Sequence, residues 1–186
     1  MLAYVFYHWK RAEVAAADYE HRLRDFHRAL NEAPPPGFSH SWSVALTGAP
    51  WANAGGDSFE DWYLVSGSAD LDPLDHAAIS ASRQAAHDKA ASGAAGGTAG
   101  LYQLKLGTAL RAPRYSLWFG KPPGWSYAEL LERLQGAMGD ATAVWMRRMT
   151  LGPALEFCLH SNVPVELPDG ISARSFETRA VFPQGA

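Results

Sequence analysis

Cysteine is almost missing. Cys158 is the only one in 186 residues, which excludes an internal disulfide and any zinc site built from several thiolates. A reducing compartment, and so a cytoplasmic location, is expected. Long apolar runs are missing too: no stretch approaches the roughly 18 residues of a membrane-spanning helix, so no membrane partner is expected. The opening MLAYVFYHWKRAEV has no basic segment before its short apolar run and reads as a first strand rather than a secretion signal. Charge of one sign is also missing. Net charge is -3, residues 1–110 carry 8 basic and 12 acidic side chains, and residues 111–186 carry 8 and 7. Neither half has the basic bias that a phosphate backbone requires, which argues against a nucleic-acid partner. Several catalytic signatures are lacking as well: a phosphate loop, a His-Glu-x-x-His pair, a Gly-x-Ser-x-Gly elbow and a calcium loop. Gly93-Ala-Ala-Gly-Gly follows no predicted strand, so a dinucleotide site is not expected, and no metal site is expected either.

What the chain has is aromatic residues: seven Trp, seven Tyr and eight Phe within 47% apolar content. At this length about 70% of the unfolded surface can be buried. Period-two alternation predicts a strand over Leu2–Trp9, with Tyr4, Phe6 and His8 on one face and Val5, Tyr7 and Trp9 on the other. A helix over Val14–Glu32 carries Tyr19, Leu23, Phe26 and Leu30 on one stripe and ends at the Pro34-Pro35-Pro36-Gly37 run. Strands follow at Phe38–Leu46 and Asp61–Ser66, with Thr47–Ser58 between them as a loop. A single helix is predicted over Pro73–Ala91, then a Gly/Ala-rich loop over Ala90–Gly100, mobile or passing close to a ligand, then a strand at Leu101–Leu106. After Pro113 the order restarts: strand Tyr115–Gly120, helix Tyr127–Gly139, strands Thr142–Met149 and Leu155–Ser161. Val163 to Gly170 leaves no room for a second long helix before the last strand, Ile171–Phe182.

This order resembles the ferredoxin-like fold of the dimeric α/β-barrel superfamily in its tandem form. That group includes cofactor-free antibiotic-biosynthesis-type monooxygenases, small isomerases and haem-binding chlorite-dismutase-like proteins. The resemblance implies an α+β fold of two ferredoxin-like units, residues 1–106 and an incomplete 114–183. Their antiparallel sheets face each other as a barrel-like core with helices outside. Pairing of two chains into a homodimer is also implied. The missing second helix departs from the pattern.

The candidate site residues come from the strands. His8 and His40 each alternate with large aromatics, and neutral imidazoles among aromatics suit proton abstraction from an aromatic or enolic substrate. They are the candidate catalytic residues, with Phe6, Trp42 and Trp62 as the ligand-binding walls and a small aromatic ligand as the partner. The competing reading is that each is a core histidine satisfied by one hydrogen bond. His76, Arg83 and His87 fall at i, i+7 and i+11, as a polar stripe at a cavity mouth or a solvated face. His21 and His27 are expected at the margins of the first helix. Glu156, Cys158 and His160 alternate beside Trp145, Arg147 and Met149, so His160 is the candidate axial ligand if haem is the cofactor, or part of a Glu-Arg sheet surface. Three function classes stay open: a cofactor-independent monooxygenase or isomerase, a haem protein, and a structural or assembly protein.

Overall fold

The computed structural model describes residues 1–53, 56–138 and 142–184; Ala54 and Gly55 of the expected loop and Gly139 at the end of the expected helix Tyr127–Gly139 lie outside them. The strands are β1 (Leu2–Lys10), β2 (Phe38–Thr47), β3 (Asp57–Val65), β4 (Ala94–Gly107), β5 (Tyr115–Phe119), β6 (Thr142–Arg147), β7 (Phe157–Ser161), β8 (Ala173–Glu177) and β9 (Arg179–Phe182). The helices are α1 (Ala16–Glu32), α2 (Leu71–Ala78), α3 (Ala81–Gly93) and α4 (Tyr127–Ala137). All the strands join one antiparallel sheet in the order β8-β5-β7-β6-β4-β1-β3-β2-β9. In the first half the order β4-β1-β3-β2 is that of a ferredoxin-like unit, and β8-β5-β7-β6 repeats it.

The two edge strands are neighbours in the chain, separated by the single residue Thr178. Its amide donates to the Arg114 carbonyl at 2.9 Å and its hydroxyl to the Pro113 carbonyl. The expected last strand, Ile171–Phe182, is therefore two strands that serve opposite edges.

Alternation sorts the side chains into two faces. Val5, Tyr7, Trp42, Trp62, Tyr102, Trp118, Trp145 and Cys158 share one buried core. The rings of distant strands touch there: Tyr7 of β1 meets Trp118 of β5 with centroids 5.7 Å apart, and Trp42 of β2 meets His160 of β7 at 6.1 Å. The opposite face packs under the helices. Leu23, Phe26 and Leu30 of α1 cover Phe59, Tyr63 and Val65, while Leu130 and Leu134 of α4 cover Leu117, Phe119, Phe157 and Leu159. Ser126 caps α4, accepting from the Glu129 amide at 3.2 Å while the Glu129 carboxylate accepts from the Ser126 amide at 2.7 Å.

Two expectations are corrected. Residues 94–100 are strand, not loop: a Cβ on Gly97 would lie 2.5 Å from the Phe6 ring, and one on Gly96 2.6 Å from the Trp9 ring. Glycine makes room for the aromatic neighbours on β1. The helix predicted over Pro73–Ala91 is two, because the chain breaks at Ile79 and Ser80 and Ala81 takes a φ of +51°.

Candidate functional site between the sheet and the first three helices

Asp61 of β3 is the centre of the most organised polar cluster. It lies on the helix-covered face with only 2% of its surface exposed, and two buried imidazoles approach it. His8 Nε2 stands 3.1 Å from one carboxylate oxygen and His27 Nε2 3.3 Å from the other. The Tyr63 hydroxyl donates to Oδ2 at 3.1 Å. Each imidazole has a hydroxyl behind it: Tyr19 Oη is 2.7 Å from His8 Nδ1, and Ser41 Oγ is 2.7 Å from His27 Nδ1. Asn31 Nδ2 donates to Ser41 Oγ at 2.8 Å, which leaves the serine hydrogen for Nδ1. Each Nε2 then lies within ion-pair distance of Asp61. The whole array, Tyr19-His8-Asp61-His27-Ser41, is a carboxylate flanked by two imidazole-hydroxyl relays.

The electrostatics follow. Burial alone would raise the Asp61 carboxyl, but attraction to His8 and His27, together with hydrogen bonds from both rings, outweighs it and holds the group far below the ordinary range. Burial and the nearby Asp61 charge push Tyr19 well above the ordinary tyrosine value, so its hydroxyl keeps its proton. Tyr63 is pushed up by burial and by Asp61.

One side of this array opens into a cavity of about 530 Å³ between the sheet and α1, α2 and α3. Its walls include Tyr4, Phe6, Phe26, Tyr63, Leu74 and Ala90, and its polar groups include His8, Tyr19, Asp61, Asp72, Asp75 and His87. This size and mix fit a small-molecule pocket. His8 sits in it with fixed orientation, its ring stacked between Phe6 at 4.9 Å and Phe59 at 5.6 Å.

The residues expected to form one pocket are divided between the two faces. Register explains why. Across from β1, Phe6 pairs with Asp61 and His8 with Phe59; across from β2, His40 pairs with Leu64 and Trp42 with Trp62. Cross-strand partners share a face, so Phe6 and His8 lie under the helices while His40, Trp42 and Trp62 lie in the aromatic core. β3 also runs between the strands that carry the two histidines. Trp42 and Trp62 stack on each other, centroids 5.6 Å apart and planes 6° apart, and His40 stacks on Trp42 at 5.6 Å. These rings are core packing rather than walls of the cavity.

Other expectations are corrected in the same way. His27 is fully buried in the Asp61 cluster rather than at the helix margin, while His21 is exposed beside Asp25 at 3.3 Å. His76 and the pair Arg83 and His87 belong to different helices. Of the three, His87 reaches the cavity, and Arg83 donates to the Ala77 carbonyl at 2.7 Å and to the Ala33 carbonyl. Glu156 and Arg147 do not form the expected pair: Glu156 accepts from the Tyr127 hydroxyl at 2.7 Å, and Arg147 donates to the carbonyls of Gly152 and Ala154. Burial raises the Cys158 thiol well above its ordinary value, which suits packing and not nucleophilic attack. Among the described residues no group of three or more His, Cys, Asp or Glu could hold a metal ion, and no helix is long and apolar enough to cross a membrane.

Tyr19, His27, Asp61 and Tyr63 were not singled out as site residues from the sequence. A signal was present. Glu60 and Asp61 interrupt an otherwise apolar strand, and carboxylates in a strand covered on both faces need partners.

No protein-family model matches the chain, and no curated protein matches it. Among solved structures, an anthrone oxidase-like protein aligns over 97% of this chain and 93% of its own length, with 9% identity and a TM-score of 0.45. A chlorite dismutase-like protein aligns over 97% and 96%, with 11% identity and a TM-score of 0.48. At such identities and scores neither protein's chemistry passes to this chain.

Proposed function

We propose that this protein is a tandem ferredoxin-like barrel that binds a small, largely aromatic molecule between its first sheet unit and helices α1 to α3, and that it takes a proton from that molecule. The carrying observation is the Tyr19-His8-Asp61 relay opening into the 530 Å³ cavity. Supporting the barrel are the repeated strand order and the one-residue link between the two sheet edges.

In this reading the ligand's acidic C–H or O–H faces the Tyr19 oxygen. The ligand proton passes to Tyr19 as the tyrosine's own proton passes to His8 Nδ1, and the ionised Asp61 stabilises the imidazolium that forms. The ligand is left as an enolate or phenolate, the first intermediate of either an isomerisation or a cofactor-independent oxygenation. The second relay, through His27 and Ser41, holds the far carboxylate oxygen and fixes Asp61 in place.

The haem alternative has less support. The His160 ring is wedged against Trp62 at 4.5 Å, with Trp42 and Trp145 at 6.1 and 6.5 Å, where a macrocycle would have to displace indoles. His8, in the cavity, has both ring nitrogens committed to Tyr19 and Asp61.

The test is hydrogen-deuterium exchange at the carbon beside the carbonyl of 2-tetralone, a bicyclic enolisable ketone. Wild-type protein is expected to accelerate exchange, and Tyr19→Phe and His8→Phe to lose about 10²-fold or more of that acceleration, as removal of a general base does. Equal exchange rates in the wild type and both variants would refute the relay.

A further inference from the structure

The charge of the cavity selects among aromatic ligands. Its lining contains three carboxylates, Asp61, Asp72 and Asp75, and neither a lysine nor an arginine. The nearby cations are engaged elsewhere: Arg22 bonds Asp18 at 2.6 Å and reaches the Lys89 carbonyl, and Arg83 serves the Ala77 and Ala33 carbonyls. Asp61 is already engaged by His8, His27 and Tyr63, whereas Asp72 and Asp75 lie on the exposed side of α2 at the rim, where burial and then the nearby Asp75 raise the Tyr4 hydroxyl. Inside that rim the lining includes the rings of Tyr4, Phe6, Phe26 and Tyr63. Aromatic faces attract cations through their quadrupoles, and carboxylates at a pocket mouth draw cations in and repel anions.

Resting on the proposed site, we infer that its ligand is an aromatic compound carrying a protonated amine, with the ring body among the aromatic walls and the ammonium at Asp72 and Asp75. Carboxylates, phosphate esters and other anionic aromatics are the class this cavity rejects.

The experiment is calorimetric titration of the full-length protein with three near-isosteric probes: 2-naphthylmethylamine, 2-naphthylmethanol and 2-naphthoate. At low salt the amine is expected to bind about tenfold tighter than the alcohol, and the carboxylate weakest, as partly solvated charges allow. Two further readouts are expected to move with the charge. The amine's advantage shrinks in 0.5 M salt, because exposed charges are screened, and Asp72→Asn with Asp75→Asn brings the amine-to-alcohol ratio to within about twofold. If the amine and alcohol bind equally, or the carboxylate binds best, the charge inference is overturned and the cavity remains a binding site. If none of the three binds at millimolar concentration, the site itself is wrong and the inference falls with it.

Discussion

Two adjacent side chains on β3 carry opposite electrostatic fates. Asp61 points under the helices and meets two imidazoles. Glu60 points into the aromatic core, where burial raises its carboxyl to about 8 despite a hydrogen bond from Trp62 Nε1 at 3.3 Å. A folded-state value above the unfolded 4.5 means that the native state binds the proton more tightly. Glu60 therefore leaves stability intact below about pH 4.5, and that stability is lost as pH rises through about 8. Glu60→Gln cannot ionise, so the variant should gain on the wild type across this window by up to about 1.4 kcal/mol per pH unit. Denaturant titrations at pH 5, 7 and 8.5 measure the gap; a gap that does not widen with pH would show that Glu60 ionises as freely in the folded protein as in the unfolded one. Alternation alone placed Phe6 and His8 together, and Trp42 with His40. It could not say which set met the helices, because both faces of these strands are apolar and the answer depends on pairing with β3. The Asp61 cluster was hidden for a related reason: its members come from β1, α1, β2 and β3, and only the assembled sheet brings them together.

At the scale of elements, strands and helices with clear periodicity were legible, and their breaks were not. The β2 strand shows its small serines facing α1, where Ser41 joins His27 and Asn31. The stretch before Leu101 was misread because glycine and alanine carry no periodic signal of their own. Its conformation is dictated from across the sheet by the rings of Phe6 and Trp9, and β1 pairs with it from Val5 to Lys10. Gly97→Ala should therefore lower stability by about 1–3 kcal/mol, the usual cost of forcing volume into a packed contact, visible as a fall of several degrees in Tm. An unchanged Tm would mean that the Phe6 ring moves aside freely. Such a shift would also disturb His8, since the two rings stack.

At the scale of the whole molecule, the mixed α+β character was legible because it needs only the succession of strands and helices. The joining of the edges was not, since it turns on the single residue Thr178 within what reads as one continuous strand. The two halves depend on each other: Trp118, Trp145 and Cys158 from the second complete the core that Tyr7, Trp42 and Trp62 begin in the first. A fragment of residues 1–106 is expected to expose this face and to fail to unfold cooperatively as a monomer, and a stable, cooperatively unfolding monomeric fragment would contradict the shared core. In the proposed function the helix-covered cavity, and not the aromatic core on the other face, receives the ligand, and this is open to a direct test. The measurement is nuclear magnetic resonance titration of the full-length protein with 2-tetralone. Saturable shifts are expected, centred on Phe6, His8, Tyr19, Leu74 and Ala90, with the indole signals of Trp42, Trp62 and Trp145 unmoved. Shifts centred on those indoles, or no saturable shifts at all, would contradict that reading.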